Sequence, residues 1–185
     1  PEVIGTMGQL PTGAILLVER EEEVANLKVN DPDKLALVTQ TTLSVDDTAD
    51  IVASLRKRFS KIIEPRSDDI CYATTNRQDA VKAIADSCDL IVVIGAPNSS
   101  NSNRLVEVAK RAGCSNTFLI EHAKCMDWGL IQSHMTLGIT AGASAPEDLV
   151  LDFISYCRKL YTLEIKEITV RQENVKFNLP RMNLS

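Results

Sequence analysis

Short, almost unbroken apolar runs separated by amphipathic stripes constrain the fold of this chain more than any other feature. The runs are Ile15–Val18, Leu35–Val38, Leu90–Ile94, Thr117–Ile120 and Met135–Ile139. A strand with one wet face alternates apolar and polar residues. Near-continuous apolar strands instead suit a parallel sheet covered on both faces. Between the runs, Val45, Ala49, Val52, Leu55 and Phe59 recur at helical spacing, as do Val81, Ile84, Ala85 and Cys88. Two more stripes follow, through Leu105, Val108, Ala109 and Ala112 and through Val150, Phe153, Ile154, Cys157 and Leu160. Strand–helix repetition with right-handed crossovers predicts an α/β, doubly wound architecture.

A boundary is expected in the polar stretch Glu64–Asp69, which no periodicity claims. It divides the chain into an α/β lobe over 1–67 and a second over 68–160, two small Rossmann-like lobes with mostly parallel sheets. Residues 161–185 contain alternating runs, Glu164–Val170 and Val175–Leu179, and are expected to form an extended tail packing back on the body. A chain of 185 residues with 44% hydrophobic and 24% charged content is globular, which excludes a disordered or collagenous protein. The net charge of −5 disfavours a nucleic-acid partner, which needs a basic face. No run approaches the length of a membrane-spanning helix. Five cysteines, odd in number and without a CxxC pair, fit a reducing compartment.

The chemistry is expected where strands give way to helices. Three runs lead into Thr39-Gln40-Thr41-Thr42-Leu43-Ser44, Asn98-Ser99-Ser100-Asn101-Ser102-Asn103 and Thr140-Ala141-Gly142-Ala143-Ser144. A fourth hydroxyl-rich segment, Cys71-Tyr72-Ala73-Thr74-Thr75-Asn76, precedes a helix expected to begin near Arg77. Ser44 with Asp47, Thr75 with Gln78 and Ser144 with Glu147 have the form of capping boxes. One cap needs one hydroxyl, however, and these loops carry several. Helix N-termini present free N–H groups and a positive dipole end, so surplus hydroxyls there suit a phosphate. Two readings stand: well-capped polar loops, or a phosphate site at the carboxyl edge of the sheet, where ligands of open α/β folds bind. Four such loops in one small fold favour the second. Neither GxxxxGK[ST] nor GxGxxG occurs, which argues against a nucleotide P-loop and a dinucleotide site.

Cys88 and Cys157 lie on apolar stripes and read as core thiols. Cys114 and Cys125 read as structural or incidental. Cys71, just ahead of a helix start, has the setting of a nucleophile or metal ligand, with an inert thiol as the alternative. His122 and His134 form no ligand pair. The runs Glu21-Glu22-Glu23 and Arg56-Lys57-Arg58 read as solvated helix faces.

Five strings occur in order: PEVIGTMGQ from Pro1, TQTTLSVDDT from Thr39, DDICYATTNRQ from Asp68, NSSNSNRL from Asn98 and TAGASAP from Thr140. Together they resemble the LytB-type 4-hydroxy-3-methylbut-2-enyl diphosphate reductases, from Pro1 to about Pro180. That resemblance implies reductive removal of the allylic hydroxyl of a C5 diphosphate, giving isopentenyl and dimethylallyl diphosphates. This is the last step of the methylerythritol phosphate route. It implies a [4Fe–4S] cluster held by three cysteines, a ferredoxin or flavodoxin as electron donor, and a cytoplasmic or plastid setting.

By the same resemblance Cys71 is a cluster ligand, Glu2 delivers protons to the leaving hydroxyl, and Thr41 stands beside that hydroxyl with Gln40 as a weaker neighbour. Ser99, Ser100, Asn101 and Ser144 form the diphosphate clamp, and Thr74 lines the cavity. The family's other two cluster cysteines and several substrate-facing histidines precede the PEV motif, in an N-terminal lobe. One thiolate does not hold such a cluster. The expectation is therefore a two-lobe portion of a three-lobe enzyme, without turnover by itself. A non-catalytic module binding a small phosphorylated metabolite is the alternative. A nicotinamide-dependent enzyme is disfavoured by the missing glycine fingerprint.

Overall fold

The computed structural model describes residues 2–65 and 69–171. Its centre is β1 (Leu90–Ile94), whose sequence LIVVI is buried at every position. β2 (Thr117–Ile120) and β3 (Leu137–Ala141) flank it in the order β2-β1-β3, both parallel to it. Ile91 stands opposite Thr117 on one side, and Leu90 opposite Leu137 on the other. The most continuous apolar run thus became the middle strand, with neighbours on both edges and helices on both faces.

Alternation along β1 divides the core in two. Ile91 and Val93 pack with Val81 and Ala85 of α4 (Tyr72–Ala85) and with Leu105, Val108 and Ala109 of α5 (Ser100–Arg111). Leu90, Val92 and Ile94 meet Phe153 and Cys157 of α6 (Glu147–Leu160), together with Met126 and Ile131. Trp128 stacks on Phe153 at 5.2 Å and on Tyr156 at 6.0 Å. This is the expected parallel sheet with helices on both faces. Cys157 and Cys114 are buried, and burial pushes the thiols of Cys157 and half-buried Cys88 up in pKa.

The first lobe is built more from helix and loop. It comprises α1 (Glu2–Met7), α2 (Glu21–Val24) and α3 (Val45–Arg58), with Val24, Leu55 and Phe59 as its fully buried residues. Its parallel pairing is one bridge, Ala36 with Ile63, in which Leu37 N–H donates to Ile63 O at 2.8 Å and Ile63 N–H to Leu35 O at 2.9 Å. Residues 15–18 form no strand, and Leu16 and Leu17 are exposed. The two charge runs are solvated faces as expected, exposed apart from half-buried Glu23, and some of their side chains also join elements. Arg56 holds Glu64 through two contacts of 2.6 Å, Ser54 donates to Glu21 at 2.6 Å, and Arg58 donates to the carbonyls of Val24 and Leu27.

Three cap expectations are corrected. α4 begins at Tyr72, not near Arg77, with Cys71 as its N-cap and the amides of Thr74 and Thr75 donating to Cys71 O at 2.9 and 3.1 Å. Two adjacent β-branched threonines argue locally against a helix. Packing outweighs that preference, because Thr74 and Gln78 are buried one turn apart. Gln78 accordingly makes no capping box with Thr75; its amide donates to Leu43 O at 3.3 Å. α6 is preceded by Pro146 as N-cap, so Ser144 caps nothing. Ser44 is the N-cap of α3 as expected, but its side chain makes no capping bond.

The stretch Glu64–Asp69, expected as a boundary, runs between the Ile63 bridge and α4, and its residues 66–68 lie outside the described ones. Residues 162–169 form no regular element, and Arg171 returns to Asp79 of α4 at 3.5 Å. The run Val175–Leu179 lies outside the described residues. Among those residues no helix is long and apolar enough to cross a membrane.

Phe153 is fully buried at the centre of the α6 face. Phe153→Ala is expected to destabilise this lobe by about 3–5 kcal/mol. Denaturant unfolding followed by the fluorescence of Trp128, the chain's one tryptophan, checks this; a loss under about 1 kcal/mol would show the stack to be peripheral.

Candidate functional site

The chain leaves β1 through α5 toward β2, while β3 pairs on β1's opposite side. Connections departing in opposite directions open a crevice at the carboxyl ends of the two strands. Gly95 follows β1 and Gly142 follows β3, their amides donating to Ile120 O and Ile94 O at 2.9 Å each. Ser102 of α5 is inserted between them, 1% exposed, and a methyl group on either glycine would collide with its hydroxyl.

Ser99 is the N-cap of α5, its Oγ accepting from Ser102 N–H at 3.3 Å and from Ser102 Oγ at 3.0 Å. Asn103 Nδ2 donates back to the carbonyls of Pro97 and Ser99 at 2.8 and 3.0 Å, which fixes the loop before the helix. Asn101 is only 8% exposed, yet both Oδ1 and Nδ2 lack a protein partner. Its Nδ2 lies 3.8 Å from where a Cβ on Gly142 would be. A buried amide left unpaired costs about 1–3 kcal/mol, so this group is a waiting partner for a polar ligand. The positive dipole end of α5 and the hydroxyls beside it are chemistry that suits an anion.

Ser100 turns the other way and donates to Glu2 Oε1 at 3.1 Å, across 98 positions of sequence. Hydrogen bonds from the carboxylate's own backbone amide, first, and from Ser100, second, hold Glu2 below the usual carboxylate range. An ionisable group thus stands at the lip of the anion cradle.

A second group gathers at α4. Exposed Cys71 is its N-cap, and Cys71 N–H donates to Thr41 O at 3.0 Å, bringing the thiol's backbone to the Thr41 loop. Gln40 precedes Thr41, half-buried, and its carbonyl accepts from Leu43 N–H at 3.3 Å. Thr74 is buried one turn into α4. Arg77, one turn further, donates from Nη1 to Ala141 O at 3.1 Å and so joins α4 to the end of β3. Ser144 is exposed in the turn two residues beyond Gly142. Beside Cys71 lies an open cleft of about 390 Å³ lined by Asp69, Tyr72, Thr75, Asn76 and Arg171.

The structure therefore joins Glu2 to Ser100, Ser99 to Ser102, Asn101 to the Gly142 loop, and Cys71 to Thr41. Sequence reasoning passed over Ser102 and Arg77. The signal for Ser102 was present, since a glycine directly follows each of two apolar strands. Nothing local to Arg77 marks it. The other thiols do not join Cys71: Cys114 and Cys157 are buried, and Cys125 contacts His122 at 3.4 Å in a separate turn. Among the described residues no group of three or more His, Cys, Asp or Glu could hold a metal. By themselves they do not fit a cluster needing three thiolates.

Fold and site together define an α/β protein with hydroxyls and a buried, unpartnered amide at a sheet switch point, a carboxylate bonded to one of those hydroxyls, and an exposed thiol at the start of α4. Residues 1–158 match the profile of the LytB protein family, and the chain belongs to that family. It is 56% identical over 98% of its length to the 4-hydroxy-3-methylbut-2-enyl diphosphate reductase of Roseobacter denitrificans. It is 56% identical over 97% of its length to the enzyme of the same name from Gluconobacter oxydans. The chain spans 58% and 54% of the lengths of these two curated relatives. It superposes with a TM-score of 0.82, at 34% identity, on the E-1-hydroxy-2-methyl-but-2-enyl-4-diphosphate reductase of Plasmodium falciparum, covering 97% of this chain and 56% of that one.

Ser100→Ala removes one of the groups that depress Glu2, so the Glu2 pKa is expected to rise toward the ordinary value. A depressed carboxyl favours the folded chain above its unfolded pKa and loses that effect as pH falls through the folded pKa. The variant then protonates Glu2 at a higher pH than the parent. NMR titration of the side-chain carboxyl reads this directly, and coincident curves would show the Ser100 contact to be without weight.

Proposed function

We propose that this chain supplies the diphosphate-binding and proton-delivering portion of a 4-hydroxy-3-methylbut-2-enyl diphosphate reductase. The buried, unpartnered amide of Asn101 at the N-terminus of α5 carries the reading. Diphosphate oxygens at that position would accept from Asn101 Nδ2, from the hydroxyls of Ser99 and Ser100 and from the free N–H groups of the helix, with Ser144 closing from the β3 turn. Ser100 touches both the anion site and Glu2, so a diphosphate held there places the C5 alcohol within reach of a carboxyl group.

Removing an allylic hydroxyl as water takes two electrons and two protons, one proton going to the departing oxygen and one to a carbon of the allyl fragment, which keeps its double bond. Glu2 carries a proton to the departing oxygen, and a diphosphate binding beside it favours the protonated carboxyl. Thr41, with Gln40 beside it, lies on the loop whose backbone meets Cys71, on the side where the reacting end would lie. Thr74 walls the cavity from α4. A ferredoxin or flavodoxin would supply the electrons. Five free cysteines suit a reducing compartment such as the cytoplasm.

Cys71 is exposed, and as the one cysteine at the site it would serve as one ligand of the three-cysteine [4Fe–4S] cluster. The remaining ligands would come from residues outside this chain.

Two measurements test the reading. Calorimetric titration of the 185-residue chain with inorganic diphosphate should show saturable binding, weakened at least tenfold by Asn101→Ala, the loss of one charge-assisted hydrogen bond; equal affinity would dismiss the cradle. Reconstitution with iron and sulfide should yield no substrate-dependent oxidation of a reduced dye. Turnover by this chain alone would contradict the division of labour proposed.

A further inference from the structure

Asp47 lies in the first turn of α3, a few residues beyond Thr41 in the same TQTTLSVDDT string. Its carboxylate accepts from Arg104 at 2.9 Å through Oδ2 and from Arg111 through Oδ1, both on α5. This is not an ordinary surface pair. The side chains of Asp47 and Arg104 are only 20% and 22% exposed, and the same Nη1 of Arg104 also donates to Glu107, three residues on, at 2.6 Å. Exposed pairs lose most of their worth to water and salt, whereas a covered carboxylate taken by two guanidinium groups keeps its direction.

The position on α5 gives this contact its consequence. Ser100, Arg104 and Arg111 stand four and eleven residues apart, so they share one stripe of the helix. At the start of that stripe Ser100 meets Glu2; further along, the two arginines meet Asp47. Asn101 lies about a quarter-turn from the stripe and Ser102 on roughly the opposite face, both buried at the Gly95–Gly142 slot. The rotation of α5 about its axis therefore decides whether Ser100 points at Glu2 while Asn101 points into the crevice. Little apolar contact sets that rotation from the first lobe, because its buried residues Val24, Leu55 and Phe59 pack within the lobe. Between the lobes lies an open cleft of about 240 Å³, lined by Ser44, Asp46, Asp47, Lys82, Val108 and Arg111.

The structure assigns Asp47 as a positioning residue that holds α5, through Arg104, in the rotation that points Ser100 at Glu2 and Asn101 into the anion cradle. Asp47 touches no ligand; it acts through Arg104. The neighbouring Asp46–Lys82 pair, whose carboxylate is 70% exposed, ties α3 to α4 and is the matched comparison. This assignment rests on the diphosphate reading of the cradle.

The test uses the 185-residue chain, inorganic diphosphate and two readouts. Asp47→Asn, nearly isosteric but uncharged, should weaken diphosphate binding about tenfold, and Arg104→Met should do the same. The double variant should lose no more than Asp47→Asn alone, since that change already removes the ion pair with Arg104. Asp47→Glu, which keeps the charge, should recover to within about threefold of the parent, and Asp46→Asn should change affinity less than about twofold. Hydrogen exchange without ligand should quicken at amides 100–104 in Asp47→Asn and not in Asp46→Asn. Should Asp47→Asn fail to fold, Arg104→Met and Asp47→Glu carry the same comparison. Unchanged affinity and exchange in a folded Asp47→Asn or Arg104→Met chain, additive losses, or no recovery by Asp47→Glu would overturn the assignment. A parent chain that binds no diphosphate would defeat the cradle reading alone, and the exchange data would still decide whether Asp47 sets α5.

Discussion

The side chain of Ser102 occupies the gap between Gly95 and Gly142, and the geometry of the site descends from that contact. Neighbouring strands are less than 5 Å apart, so a helix start can enter the space above them only where the strands end without side chains. Glycine after β1 and again after β3 provides that space. Once Ser102 is seated, Ser99 is held by it as the N-cap, Asn101 is drawn under cover without a protein partner, and Ser100 is turned out toward Glu2. This close approach seats the start of α5 on the sheet, and the Asp47–Arg104 pair braces the same helix from its other face.

The two lobes are held to each other in different terms from those that hold the sheet together. β1 and its helices use apolar burial on both faces, which is strong but without direction. Between the lobes the contacts are directional: Cys71 N–H to Thr41 O, Gln78 to Leu43 O, Thr39 N–H to Asp69 at 2.8 Å, and the arginines of α5 to Asp47. All converge on residues 39–47, the segment that also carries Gln40 and Thr41. Hydrogen bonds and ion pairs set angle as well as distance. Their weakness beside apolar packing makes this junction the place where the molecule is most easily re-aimed.

Local pattern carried the second lobe well. β1 and β2 lie where the apolar runs place them, β3 is shifted by two residues, and the helical stripes all became helices, because burial on both faces leaves few other ways to arrange such runs. It failed where contacts outside the window decide the outcome. α4 starts five residues earlier than expected because buried Thr74 and Gln78 outweigh the poor helix preference of adjacent threonines. The run at 15–18 has no partner strand among the described residues and remained irregular. Glu2 carries no signature in composition or spacing and was visible only through the likeness of its motif.

The sequence by itself determined that this chain builds a parallel sheet with helices on both faces, and that hydroxyls and amides crowd the helix starts at its carboxyl edge. Hydrophobic period and residue type are properties of neighbouring positions, so they can be read along the chain. Which of those polar groups would lie buried and unsatisfied, which would brace the backbone, and which acid would meet them was settled only by the tertiary structure. Ser99, Ser100, Asn101 and Ser102 are chemically similar and consecutive, and they part company only because α5 has one rotation against two glycines and one carboxylate. That rotation is a relation between distant segments, and no local stretch of sequence contains it.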